Sequence, residues 1–133
     1  ICLIGRRGQR GIRAGIWISH DLAVVSSLAS KLAVMYAGRI VEQGPTANLL
    51  RDPRHPYTAG LIASLPATAK PGTPLTQIPG ATPSLLSLPP GCPFEPRCDH
   101  ATGRCGTEPN ITLKDSRGWR CFHPIGQNAE VPT

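Results

Sequence analysis

Nine of the chain's fifteen prolines fall between Pro66 and Pro96. Proline holds φ near about −65° and has no amide hydrogen, so it interrupts helices and is excluded from central strands. Ala67–Pro96 can therefore hold no long helix and no inner strand. Its apolar residues come in isolated knots such as Leu85-Leu86. This segment reads as an ordered but irregular arm, or as a linker. Just before it, Pro45–Pro66 is helical in character. Thr46 is placed to cap a short helix through Leu49 and Leu50 that Pro53 ends. Pro56 suits the first turn of a second helix, whose apolar face is Tyr57, Leu61, Ile62 and Leu65. His55, between the two, reads as a turn residue whose ring packs or hydrogen-bonds between helices rather than as a ligand.

Upstream, Ile16-Trp17-Ile18 reads as a buried strand and Ser19-His20-Asp21 as a polar turn. Leu22, Val25, Leu28, Ala29 and Leu32 then follow a helical period. Asp21 suits a first-turn position, where its charge complements the helix dipole. His20 would sit at the carboxyl end of a strand and before a helix N-terminus, a combination that suits an anionic phosphate. A plain loop histidine near a helix cap is the competing reading. Lys31–Tyr36, Ala37-Gly38-Arg39 and Ile40–Gly44 then give strand, tight turn and strand, the pattern of a β-hairpin.

With 133 residues the expectation is one domain. Aromatic residues are 5% against 40% hydrophobic overall, so the core is expected to be aliphatic. The formal charge is +6, but Arg6, Arg7, Arg10 and Arg13 supply four of these charges, which leaves +2 for the rest. A basic end without interleaved aromatics is a weak nucleic-acid signature, so no nucleic-acid partner is expected. No apolar run approaches the ~20 residues of a membrane span. Ile1-Cys2-Leu3-Ile4 is shorter than the apolar stretch of about 7–15 residues in a signal peptide. Arg6–Gly15 shows neither helical nor strand period, and Cys2 in this lead reads as a bystander.

Cys92, Cys98, Cys105 and Cys121 are spaced Cys-x5-Cys-x6-Cys-x15-Cys. Two disulfides would need an oxidising compartment. Structural zinc prefers Cys-x2–4-Cys pairs. An iron–sulfur cluster takes four thiolates at wider, irregular spacing. Four unligated buried thiols remain the bland reading. Pro93, Pro96 and Gly103 favour turns that would bring the sulfurs together. Arg97, Arg104 and Arg120 adjoin the ligand positions and could offset thiolate charge. His100 and His123 read as surface or supporting residues.

The run from Ile18-Ser19-His20-Asp21 to Tyr36-Ala37-Gly38-Arg39-Ile40-Val41-Glu42-Gln43-Gly44 resembles the tail of an ABC-transporter ATPase domain. Asp52-Pro53-Arg54-His55-Pro56-Tyr57-Thr58 is similar to the start of the C-terminal extension of dipeptide and oligopeptide importer ATPases. The resemblance covers roughly Gly15 to Pro124. It implies an α/β fold: a C-terminal fragment of an ABC ATPase domain (strand, helix, β-hairpin, short helices) followed by an irregular Pro-rich, Cys-containing extension. It divides the chain into residues 1–15, atypical and either foreign to the family or disordered; 16–66, the C-terminal piece of a nucleotide-binding domain; and 67–133, the extension with the four-cysteine site. It makes His20 the switch-loop residue that contacts the γ-phosphate and orients the attacking water. It implies ATP and Mg in the intact protein, and a [4Fe–4S] cluster on Cys92, Cys98, Cys105 and Cys121, as some of these ATPases carry. The implied partners are a second ABC ATPase subunit, integral-membrane permeases and, indirectly, a peptide-binding protein. The implied place is the cytoplasmic face of the membrane, bound peripherally. The alternative is a free-standing four-cysteine metal or iron–sulfur module with no transport role.

The chain has no Gly-x4-Gly-Lys-Ser/Thr loop, no signature motif and no acidic Walker B strand. It reads as a fragment or as a frame-shifted lead joined to family sequence, with the Ile16–Ile18 strand deprived of neighbours and apolar surface left open. One histidine near a γ-phosphate cannot supply phosphate affinity or activate a nucleophile. The purified 133-residue chain is therefore expected to show no ATP turnover and no ATP affinity tighter than millimolar. Phosphate release and calorimetric titration check this, and turnover abolished by His20→Ala would contradict it.

Overall fold

The computed structural model describes the backbone of residues 2–6 and all of residues 15–66, 72, 74 and 76–126. The expected irregular lead falls largely on residues 7–14, and part of the proline-rich segment on 67–71, 73 and 75, all outside the described residues. The fold is mixed α/β, with six antiparallel strands in the order β2-β1-β3-β4-β6-β5. In chain order the elements are β1 (Cys2–Arg6), β2 (Gly15–Ser19), α1 (Leu22–Leu28), β3 (Lys31–Tyr36), β4 (Arg39–Pro45), α2 (Thr46–Arg51), α3 (Pro56–Ala63), β5 (Thr112–Lys114) and β6 (Arg117–Trp119). Among the described residues no helix is long and apolar enough to cross a membrane.

The expected strand at Ile16–Ile18 forms, but it is not buried. It is an edge strand paired only with β1, and Ile16, Trp17 and Ile18 are 72%, 62% and 68% exposed. Successive side chains on a strand face opposite ways, so both faces of β2 lie open. Asp21 is the N-cap of α1 rather than a first-turn residue: its Oδ1 accepts the amides of Ala23 (2.9 Å) and Val24 (3.2 Å). The helix ends at Leu28, and Leu32 of the expected helical face belongs to β3.

The β3–β4 hairpin turns at Ala37-Gly38, both at positive φ (47° and 78°). This is the two-residue turn whose twist matches the strands. Thr46 does not cap α2. Its hydroxyl donates to the Ala29 carbonyl at 2.7 Å, which ties α2 to the end of α1. Pro56 opens α3 as expected.

The core is not purely aliphatic. Leu22, Val25, Leu32, Val34, Val41 and Leu49 form one part of it. Tyr36, Tyr57 and Phe94 meet at centroid distances of 4.6 to 5.4 Å and form another. Few aromatics suffice when three converge, because each buries a large apolar area.

The chain beyond Pro96 contributes to the same sheet. Thr112-Leu113-Lys114 and Arg117-Gly118-Trp119 form a hairpin through Asp115 and Ser116, both at positive φ, and β6 pairs with β4 at Glu42↔Trp119 and Gln43↔Gly118. This hairpin has no counterpart among the elements expected from the sequence. The proline-rich segment is held by Arg97. Its guanidinium donates to the carbonyls of Pro79 (2.7 Å) and Ile78 (3.2 Å) and to the Tyr36 hydroxyl (3.2 Å).

A buried carboxylate joins the two parts of the sheet. Glu42 on β4 is 1% exposed. Its Oε1 accepts the Arg54 amide (2.9 Å) and Arg117 Nη2 (3.1 Å), and its Oε2 accepts the His55 amide (2.9 Å). Arg117 also donates to the Asp52 carbonyl, and Asp52 pairs with Arg54 at 2.9 Å. Removing one partner of a buried, hydrogen-bonded pair leaves the other charge without compensation. Glu42→Ala is therefore expected to destabilise the chain by about 3–5 kcal/mol. Urea denaturation checks this, and a loss no larger than the ~0.5 kcal/mol of a surface substitution would contradict it.

Candidate functional site: a four-cysteine pocket and an exposed histidine

Turns carry three of the four cysteines into place. The Cys92 amide donates to the Cys105 carbonyl at 2.8 Å, joining two loops. Gly91 permits this approach, because a Cβ there would stand 2.0 Å from the Cys105 oxygen. A 3₁₀ turn over Glu95–Arg97 includes Pro96 and delivers Cys98; a second, opened by Gly103 and running to Gly106, contains Cys105. Cys121 follows β6, where the Arg120 amide donates to the Val41 carbonyl at 2.9 Å. Thr102 Oγ1 and His123 Nε2, 2.7 Å apart, link the Cys105 loop to the Cys121 loop.

Cys92, Cys98, Cys105 and Cys121 line one pocket, with His55, Phe94 and Phe122 among the other walls. All four are free thiols. Among the described residues, no group of three or more His, Cys, Asp or Glu side chains is arranged to hold a metal ion.

Burial is the largest influence on the thiols. It pushes Cys92 and Cys98 above their ordinary range and Cys121 up to about 12. Neighbouring sulfurs add to the upward push on Cys92, Cys98 and Cys121, because a second negative charge nearby disfavours each of these thiolates. Backbone amides oppose this: Phe94 and Glu95 at Cys92, His100 at Cys98, and His123 at Cys121, the last at 3.3 Å. Amide hydrogens directed at sulfur favour the charged form.

The arginines expected to offset that charge turn elsewhere. Arg97 pins the proline-rich segment, Arg104 lies 4.9 Å over the Phe122 ring, and Arg120 pairs with Glu108 at 3.9 Å. The electrostatic support is thus carried by backbone dipoles. His100 is exposed and His123 half-buried.

His20 is exposed at the end of β2. The expectation placed it by analogy with open parallel sheets, but this sheet is antiparallel, so that rule has no purchase here. β2 is one edge of the sheet, and β6, which leads into Cys121, is four strand positions away. His20 and the cysteines are therefore not one site.

His55 does what a turn histidine between helices was expected to do. It caps α3, its Nδ1 accepting the Tyr57 amide at 3.1 Å, and its ring lies 5.9 Å from that of Phe94. It is 1% exposed, and its Nε2 has no partner among the described residues. Burial lowers its pKa from 6.5 to about 3.

Both titrations bear on stability. A histidine kept neutral by the fold contributes stability above pH 6.5 that is lost as pH falls towards about 3. A thiol held protonated contributes stability below pH 9.0 that is lost as pH rises towards about 12. The urea midpoint is expected to fall on both sides, and His55→Asn to flatten the acid limb; a wild-type midpoint level across that limb would contradict this.

Residues 41–105 match the C-terminal region family of oligopeptide/dipeptide transporters. The chain is 42% identical over 111 residues to the oligopeptide transport ATP-binding protein OppD of Salmonella typhimurium, covering 83% of this chain and 33% of that protein. It is 41% identical over 127 residues to the dipeptide transport ATP-binding protein DppD of Escherichia coli, covering 94% of this chain and 38% of that protein. The probable D,D-dipeptide transport ATP-binding protein DdpD of Escherichia coli is 41% identical over 119 residues, 90% of this chain and 36% of its own length. The chain thus spans about a third of the length of these relatives. Residues 41–105 thus match the oligopeptide/dipeptide transporter C-terminal region, and the chain is similar to peptide-transport ATP-binding proteins over most of its length.

Proposed function

We propose that the chain is the C-terminal portion of the ATP-binding subunit of a peptide ABC importer, which in the intact protein couples ATP binding and hydrolysis to peptide uptake. The observation that carries this is the similarity to OppD and DppD, which covers 83% and 94% of the chain. Residues 16–66 act as the tail of the nucleotide-binding domain and residues 67–133 as the importer extension, although β5 and β6 join both in one sheet. His20, exposed beyond β2, is the switch-loop residue, free to meet a γ-phosphate held by other parts of the intact protein. ATP and Mg belong to that intact protein, since His20 alone forms no nucleotide site. The partners are a second ATPase subunit and membrane permeases, with the peptide-binding protein reached through the permeases. The place of action is the cytoplasmic face of the membrane.

The donor set of Cys92, Cys98, Cys105 and Cys121 fits an iron–sulfur cluster: four soft ligands around one pocket, three with amides directed at sulfur. Such a group, when bound, supplies a covalent cross-link between chain segments. Cys92 and Cys98 would hold the proline-rich side, Cys105 the second turn and Cys121 the end of β6. The segment has little apolar content of its own, so a structural clamp is the role the residues favour.

A chimera tests the transport reading. Residues 16–133 replace the matching segment of Salmonella OppD, and oligopeptide uptake is measured in cells lacking native OppD. Uptake is expected to be retained, and His20→Ala is expected to lower it by about 100-fold or more, the range for losing a positioned polar catalytic group. A stable chimera that assembles with the permeases yet transports equally well with His20→Ala would overturn the role of His20. One that never assembles would favour the free-standing metal module.

A further inference from the structure

The four-cysteine pocket has a wall that the cysteines do not explain. His55 is fixed on several sides. Its amide donates to Glu42 Oε2 at 2.9 Å, its ring meets Phe94, and its Nδ1 accepts the Tyr57 amide at 3.1 Å. An N–H donor facing Nδ1 requires a lone pair there, so the ring proton of the neutral imidazole sits on Nε2. That N–H is buried and has no partner among the described residues. Buried polar hydrogens are almost always satisfied, and each exception calls for an explanation. His55 lines the same pocket as Cys92, Cys98, Cys105 and Cys121. A helix cap alone would be served by serine or threonine, whose short side chains leave no buried nitrogen behind.

We propose that His55 Nε2–H donates a hydrogen bond to a sulfur of the metal–sulfur group held by the four cysteines. This rests on the four-thiolate reading above. Thiolate and sulfide sulfurs carry negative charge and accept N–H hydrogens. Amides already reach three of the cysteine sulfurs, and an imidazole N–H adds a side-chain donor of the same kind. Partners of this sort orient ligands and tune the bound metal. The Glu42 network, by gripping the His55 backbone, fixes where that donor points.

The test uses the 133-residue chain loaded anaerobically with iron and sulfide. His55→Asn keeps a side-chain oxygen for the Tyr57 amide, and so keeps the cap, but has no donor that reaches as far. The variant is expected to retain the broad visible charge-transfer band. Its reduction potential should shift negative, because the lost hydrogen bond favoured the more negative, reduced state. Iron affinity should fall about 10–100-fold. An intact band with unchanged potential and unchanged iron affinity would overturn the role of His55 and leave the four-thiolate reading standing. No band in the unmodified chain, or a band undiminished by Cys105→Ser, would overturn both. Should His55→Asn fail to fold, the unmodified chain with 15N-labelled histidine decides: assembling the cluster is expected to give the His55 Nε2–H resonance a contact shift, and an unshifted resonance would overturn the proposal.

Discussion

Glu42 is the interaction on which the rest of this chain depends. It is a carboxylate inside a sheet, where an unpaired charge would be prohibitive. Its three partners are drawn from two places: the amides of Arg54 and His55 in the α2–α3 connection, and the guanidinium of Arg117 on β6. The desolvation of Glu42 is tolerable only while all of them are present, so the hairpin, the helical connection and the C-terminal strands are bound together. Asp52 and Arg54 extend the network, and the Arg54 carbonyl receives the Ile125 amide at 2.9 Å. A buried ion pair is poor evidence of net stabilisation against an apolar alternative. Its effect here is on register, since it specifies which residue of β4 lies beside β6.

From that anchor the cysteine region becomes intelligible. Residues 76–110 contain no strand and only two 3₁₀ turns, and their prolines interrupt any continuous ladder of amides. Their order comes from short-range backbone hydrogen bonds in turns, such as Cys98 to Glu95, from side chains reaching to carbonyls, as Arg97 does to Ile78 and Pro79, and from close backbone approach, as at Gly91. The last two devices converge on the aromatic group of Tyr36, Tyr57 and Phe94, and Phe94 is also a wall of the cysteine pocket. Phe94 and Phe122 give the pocket apolar walls, and His55, whose amide is held by Glu42, ties it to the ionic network. The opposite edge of the sheet is different: β2 presents Ile16, Trp17 and Ile18 to solvent, with Val24 and Leu28 of α1 also exposed.

Residues within a few positions of one another made much of this readable. Asp21 at the head of α1, Ala37-Gly38 in the hairpin turn and Pro56 opening α3 act over distances of two to four residues, where sterics and capping leave few alternatives. The wording of the segment from His20 to Gly44 and the spacing of the cysteines pointed to the family and to a shared pocket for the same reason: each is a local pattern, repeated in order along the chain. The β5–β6 hairpin is also local, but its three-residue strands are too short for a pattern to mark them.

What tertiary structure alone decided are the pairings that many partners could have satisfied. Fourteen Lys and Arg residues share eight acids, and nothing local selects Arg117 for Glu42, 75 positions away. Arg97, Arg104 and Arg120 stand beside cysteines in sequence yet turn to a carbonyl, a ring and a carboxylate, because a long flexible side chain goes where the fold offers a partner. Whether an apolar strand is inner or edge depends on its neighbours, so the exposure of Ile16–Ile18 had no local signature. The same holds for His55: the sequence placed it before a helix, but only the packed fold could bury its second nitrogen and make the residue a wall of the four-cysteine pocket.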